Sequence, residues 1–224
     1  MNKAKLIDID LMNKIMPDGD LTFVDIGAFT GNCTIAMSKA FPQATIHAIE
    51  ACPVNFKTLS EKTVEYNRIK VHHMALSNCN CKRLDFHITE DKKTQEKHGN
   101  ATSQSNSLYE QFLSERGKNV RTIQVEAMSV DQFCAVNKIH HINFMKVNCE
   151  GCEYKIFDSS QNDFLNITDM IWIEFHTKVK IFKSKHFVRK RKDINDLFKH
   201  HGFKLIDGDM DLENSKHIIQ VWKK

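Results

Sequence analysis

The apolar positions of this chain fall into short runs, and the runs alternate between a period near two and a period near three and a half. Residues 23–26 read as a first strand that ends in a glycine turn. A helical pattern follows and stops at Lys39-Ala-Phe-Pro42. Residues 44–49 read as a second strand, and 53–67, with Val54, Leu59 and Val64 on one stripe, as a second helix. Residues 69–74 give a third strand and 84–88 a short extra one. The stretch 90–119 is polar, with Leu108, Phe112 and Leu113 as scattered apolar positions, and is expected to be a loop or lid. Alternation resumes over 122–127, a short helix is expected at 129–136, and 142–147 and 170–174 read as central strands. A basic helix is expected over 186–201, closed by Gly202. Residues 203–206 and 217–222 are expected to close the sheet as an antiparallel pair. The chain carries no internal repeat.

Strands alternating with helices predict an α/β fold with a mostly parallel sheet. At 224 residues and 41% hydrophobic content, one domain spanning 1–224 accounts for the chain, with 1–20 as a lead-in. The first ten residues are interrupted by charge and lack the apolar region of a signal peptide. Nowhere do roughly 18 apolar residues run together, so a cytoplasmic protein with no membrane span is expected. The 7 cysteines are an odd count with no export signal, which makes free thiols the expectation. Cys79-Asn-Cys81 and Cys149-Glu-Gly-Cys152 could supply zinc thiolates, but no histidine stands at ligand spacing and no metal is expected.

The chemistry concentrates at strand ends. In an open parallel sheet the ligand lies beyond the carboxyl ends of the strands. Asp25 ends the first, Glu50 the second, Lys146-Val-Asn-Cys-Glu-Gly-Cys-Glu153 follows the fourth, and Glu174-Phe-His176 ends the fifth. Glu50 lies 25 residues after Asp25, close to the spacing of about 20 at which an acid on the second strand meets a ribose. The turn Asp25-x-Gly27-x-Phe29-x-Gly31 lacks the G-x-G-x-x-G spacing that holds a pyrophosphate on a helix N-terminus. A carboxylate before the first glycine instead suits a ligand with a cationic amino-acid end, a ribose and no phosphate. S-adenosyl-L-methionine has that chemistry.

Taken in order, these motifs resemble the FkbM family of S-adenosylmethionine-dependent methyltransferases. The residues that carry the likeness are Asp25-Ile-Gly-Ala-Phe-Thr-Gly31, Glu50-Ala-Cys-Pro-Val-Asn55, Ala75-Leu-Ser77, Ser105-Asn-Ser-Leu108 and Lys146–Glu153, spanning about residues 22 to 176. The resemblance implies a Rossmann-like class I methyltransferase: a mostly parallel seven-stranded sheet with a reversed final strand and helices on both faces. It implies transfer of a methyl group to an oxygen, commonly a hydroxyl of a sugar, a glycan or a natural product. Asp25, Gly27, Ala28, Gly31, Asn32, Glu50, Ala51, Ala75 and Asn148 are then the expected cofactor contacts. His176, Glu153 and Glu150 are the candidate bases, and Lys146 an orienting or charge-stabilising group. Two residues depart from the family pattern. Phe29 replaces an asparagine that tolerates left-handed backbone, and Asn148 replaces an aspartate, removing a negative charge near the donor's sulfonium.

Eight lysines and arginines crowd residues 178–192, against a net charge of +4 for the whole chain. Such a segment is either a solvated face or a means of drawing in an anionic acceptor. The competing readings are an RNA methyltransferase and a protein that binds the cofactor without catalysis. Base-methylating enzymes commonly place a proline–aromatic motif after the fourth strand to stack a flipped base. Residues 146–153 contain neither residue type, so nucleic acid is the less favoured partner.

Overall fold

The structure is a computed structural model and describes residues 7–78, 82–89, 106–114, 120–158, 162–177, 191–208 and 217–224. Helix α1 (Ile9–Ile15) lies inside the expected lead-in. Its N-cap, Asp8, accepts from the Leu11 amide, and Met12 is buried against the core. Strand β1 (Leu21–Ile26), helix α2 (Asn32–Ala40), strand β2 (Ala44–Glu50), helix α3 (Pro53–Thr63) and strand β3 (Ile69–His73) follow the predicted alternation. Pro53 opens α3, where a missing backbone N–H costs nothing.

Next come β4 (Ala75–Leu76), β5 (Arg83–Ile88), helix α4 (Glu110–Ser114), β6 (Arg121–Met128), α5 (Val130–Asn137), β7 (Phe144–Val147) and α6 (Glu153–Ile156). The last elements are β8 (Met170–His176), α7 (Arg191–His200), β9 (Lys204–Gly208) and β10 (His217–Lys223). Within 90–119 the expected loop is corrected for the described part. Ser107 bridges to His87, α4 is helical, and Leu108 and Leu113 are buried, so these scattered apolar residues anchor the segment to the core. The rest of 90–119, Cys79 and Cys81, and residues 178–190 of the basic segment lie outside the described residues.

The main sheet has the order β3-β2-β1-β7-β8-β10-β9. Its first five strands are parallel, and β10 runs antiparallel to both β8 and β9, giving the reversed final strand. Alternate residues of each strand feed two cores. Val24, Ile26, Met145, Val147 and Ile173 pack with Phe133, Phe157 and Phe198 on one face. Phe23, Ile46, Phe144 and Trp172 pack with Met37 and Phe41 on the other. Asp25 and Lys146 occupy positions of this second face. A smaller sheet, β4-β6-β5, stands beyond the third strand and was not foreseen as a unit. Among the described residues, no helix is long and apolar enough to cross a membrane.

Candidate active site

Where β1 ends, the backbone amides of Gly27 and Ala28 both donate to the Ile49 carbonyl at 3.0 Å, tying the first turn to the tip of β2. Gly27 has φ +80°, and a Cβ there would lie 1.9 Å from the Asn148 carbonyl oxygen. Only glycine lets the first turn and the end of β7 come this close. Phe29 follows in the left-handed region, φ +53°, a conformation that costs a residue with a Cβ roughly 1–2 kcal/mol. That strained turn aims the Phe29 amide at Glu50 Oε2, 2.9 Å away, while the Cys52 amide donates to Oε1 at 2.8 Å. Burial pushes the Glu50 carboxyl up to about 7, against the lowering effect of these hydrogen bonds and of Asn55 and Lys146.

Asp25 is fully buried beneath the turn. Its Oδ1 accepts from Lys146 Nζ at 2.7 Å and its Oδ2 from Thr34 Oγ1 at 2.7 Å. The register that pairs Asp25 with Lys146 across β1 and β7 makes this contact. Lys146 also donates to the Gly27 carbonyl at 3.1 Å. Burial disfavours the lysine's charge, but Asp25 outweighs it and raises the ammonium pKa. The pair therefore holds the glycine turn from below.

Above the turn opens a cleft whose empty space, open solvent included, is about 530 Å³. Its walls include Ile26, Gly27 and Phe29 from the first turn, Ile49, Glu50 and Ala51 from β2, and Asn55 from α3. Met74, Ala75, Leu76, Phe86 and Asn106 line the side of the smaller sheet, and Asn148, Cys149, Glu150 and Cys152 close the end of β7. Of the expected cofactor contacts, Gly27, Glu50, Ala51, Ala75 and Asn148 line the cleft. Asp25, Ala28, Gly31 and Asn32 do not: Ala28 is buried in the turn, Gly31 heads α2 against Leu59, and Asn32 accepts from Lys62 on the surface.

Beside the cleft, at the carboxyl ends of β7 and β8, lies a charged cluster. The His176 ring is 1% exposed. Its Nδ1 donates to Glu153 Oε1 at 3.0 Å, and its Nε2 lies 3.3 Å from Glu150 Oε1. Burial alone would lower the imidazole pKa, but the Glu150 and Glu153 carboxylates more than offset it and hold it well above the usual histidine value. Glu153 is fully buried and also accepts from the backbone amides of Gly151 and His176 at 2.8 Å each. Glu174 Oε2 accepts from Asn148 Nδ2 at 2.8 Å, and Glu174 Oε1 lies 2.9 Å from His217 Nδ1. Thus Asn148, where the family pattern has an acid, spares Glu174 a carboxylate neighbour. Of the candidate bases only Glu150 lines the cleft, and Lys146 does not reach it. His217 escaped the sequence reading. It begins the reversed strand, and only the antiparallel register that pairs it with His176 brings it here.

The profile of the methyltransferase FkbM domain matches residues 25–205. Methyltransferase 1 of Beauveria bassiana (strain ARSEF 2860) is 24% identical over 196 residues, which is 82% of this chain and 79% of that relative. Among solved structures, a fibrillarin/Nop5p complex superposes with a TM-score of 0.50 at 11% identity, covering 96% of this chain and 78% of that one. A precorrin-6y C5,15-methyltransferase from Geobacter metallireducens GS-15 gives a TM-score of 0.48 at 11% identity, covering 100% and 92%. The family match spans most of the chain and takes in the glycine turn and the ends of β7 and β8, while His217 lies beyond it. By that match this chain belongs to the FkbM family of S-adenosylmethionine-dependent methyltransferases.

Proposed function

We propose that this protein methylates a hydroxyl oxygen of a sugar, glycan or natural-product acceptor. The observation that supports it is the carboxylate of Glu150 on the cleft wall, backed by His176 and Glu153 at the ends of β7 and β8. A hydroxyl must lose its proton as it attacks, whereas an amine already offers a lone pair. S-adenosylmethionine supplies a methyl group on a sulfonium that leaves as a neutral thioether.

Glu50 fits the ribose of that donor, since the Phe29 and Cys52 amides and the Asn55 side chain hold its carboxylate on the cleft wall, where it accepts from a ribose hydroxyl. Ile49, Leu76 and Phe86 offer an apolar wall for the base, and Asn148 and Glu150 close the end where the acceptor enters. Glu150 takes the hydroxyl proton. His176 positions Glu150 through its Nε2, and Glu153 fixes the His176 ring. Neither a proline nor an aromatic stands at 148–153 to stack a nucleobase, which favours a hydroxyl acceptor over a base.

The test is methyl transfer from labelled donor to a panel of glycosides, phenolic glycosides and RNA, with the methylated atom located by NMR. An O-methyl ether on a small acceptor is the expected product. Glu150→Gln, which keeps the size of the side chain on the cleft wall, is expected to lower kcat by roughly 10²- to 10⁴-fold, a larger effect than any on donor affinity. Methylation of RNA nitrogen alone, or full activity of Glu150→Gln, would contradict the proposal.

A further inference from the structure

Two groups near Glu150, Glu174 and His217, have no part in the proton transfer proposed above, yet they stand beside His176. Glu174, His176 and His217 each present a ligand-type atom, and these atoms lie within 4.8 Å of one another. We propose that Glu174, His176 and His217 form a binding site for a first-row divalent cation, zinc or manganese, whose open positions take the hydroxyl oxygen of the acceptor.

Two imidazoles and one carboxylate are a donor set suited to such ions, and three protein ligands leave room for an exogenous oxygen. Ligand atoms on one ion, bonded at about 2.0–2.2 Å, sit roughly 3 to 3.5 Å apart. His217 Nδ1 and Glu174 Oε1 are already 2.9 Å apart. The remaining closure falls on His217, whose side chain is 40% exposed, while His176 is buried.

The surroundings carry an independent sign of a metal centre. A ligating histidine nearly always donates its other ring N–H to a carboxylate, and ligating carboxylates are themselves hydrogen-bonded. Buried Glu153 receives His176 Nδ1–H at 3.0 Å, which leaves Nε2 facing Glu150 and the cluster; an ion that binds there displaces the Nε2 proton and takes the place of its contact with Glu150. Asn148 holds the second oxygen of Glu174 at 2.8 Å. Glu150, Glu153 and Glu174 bring three carboxylates together, a charge that a divalent cation neutralises. Both Asn148 and Glu150 also line the cleft, so an ion here stands where the acceptor enters. A bound cation polarises the hydroxyl, and its O–H bond breaks with the electron pair kept on oxygen and the proton passed to Glu150.

The acceptor role rests on the O-methylation proposed above, but the site itself does not. Full-length protein stripped with a chelator and desalted is titrated with zinc by calorimetry and with cobalt by visible absorption. One zinc per chain and weak ligand-field bands are expected, with affinity falling at least tenfold in both His217→Ala and Glu174→Gln. Binding of S-adenosylhomocysteine by His217→Ala, measured in parallel, is expected to stay unchanged and reports that the variant is folded. Absence of stoichiometric zinc, equal affinity in wild type and variants, or intense thiolate charge-transfer bands with cobalt would overturn the site. Metal binding with a product methylated on nitrogen would retain the site and overturn the acceptor reading. An O-methyl product formed at the full rate by metal-free protein would retain the O-methylation reading and overturn the ion's part in binding the acceptor.

Discussion

Gly27 sets the geometry of the cleft at the scale of single residues. Its φ is +80°, and a Cβ at this position would stand 1.9 Å from the Asn148 carbonyl oxygen, which leaves no room for any side chain because the obstacle is backbone. Gly27→Ala is expected to lose roughly 2 kcal/mol or more of stability, read as a lower urea midpoint, and to lose donor binding as β7 is pushed away. A variant as stable as wild type would show that the turn and β7 can separate. The glycine was legible in the sequence because its spacing to Asp25 and Gly31 carries meaning. For Phe29 the sequence left a turn of negative φ or a strained one, and the structure has the strained one, φ +53°; the hydrogen bond from its amide to Glu50 that accompanies this exists only once β1 and β2 are side by side.

Between elements, the decisive contact is the buried ion pair joining β1 to β7. Asp25 was expected from its position to touch the cofactor, yet both its oxygens are occupied by Lys146 and Thr34 and it is fully buried. Asp25→Asn leaves the Lys146 charge buried without its partner, and a cost of roughly 3–5 kcal/mol is expected in chemical denaturation. Normal stability with lost donor binding would instead assign Asp25 a direct role. Parallel strands of the main sheet were readable from their period and their polar tips. Helix α1 and the sheet β4-β6-β5 were not, for different reasons. α1 is short and charged, and its packing on Phe23 and Phe41 is a tertiary effect. β4 has only two residues and gains its identity from pairing with β6, far along the chain.

Across the whole molecule, the sheet order β3-β2-β1-β7-β8-β10-β9 collects Glu50, Asn148, Glu150 and Glu174 along one edge of the sheet. Sequence reading found those tips, and quoted Asn106 within a family-like motif without giving it a place in the site, but missed Phe86 and His217, which reach the site from the smaller sheet and through antiparallel pairing. The central claim is that this edge binds S-adenosylmethionine with Glu50 on its ribose. Calorimetric titration with S-adenosylhomocysteine tests it most directly. Micromolar binding by wild type and a loss of roughly 1.5–3 kcal/mol in Glu50→Ala are expected, the range for hydrogen bonds to a charged group. The sign of the pH effect follows from burial. Before the ligand binds, burial holds the carboxyl up at about 7, and the ionised form is the stronger acceptor for a ribose hydroxyl, so wild-type affinity is expected to fall as pH drops below 7. Glu50→Ala should bind weakly and without that fall. Equal affinity of wild type and Glu50→Ala across this pH range would contradict the account.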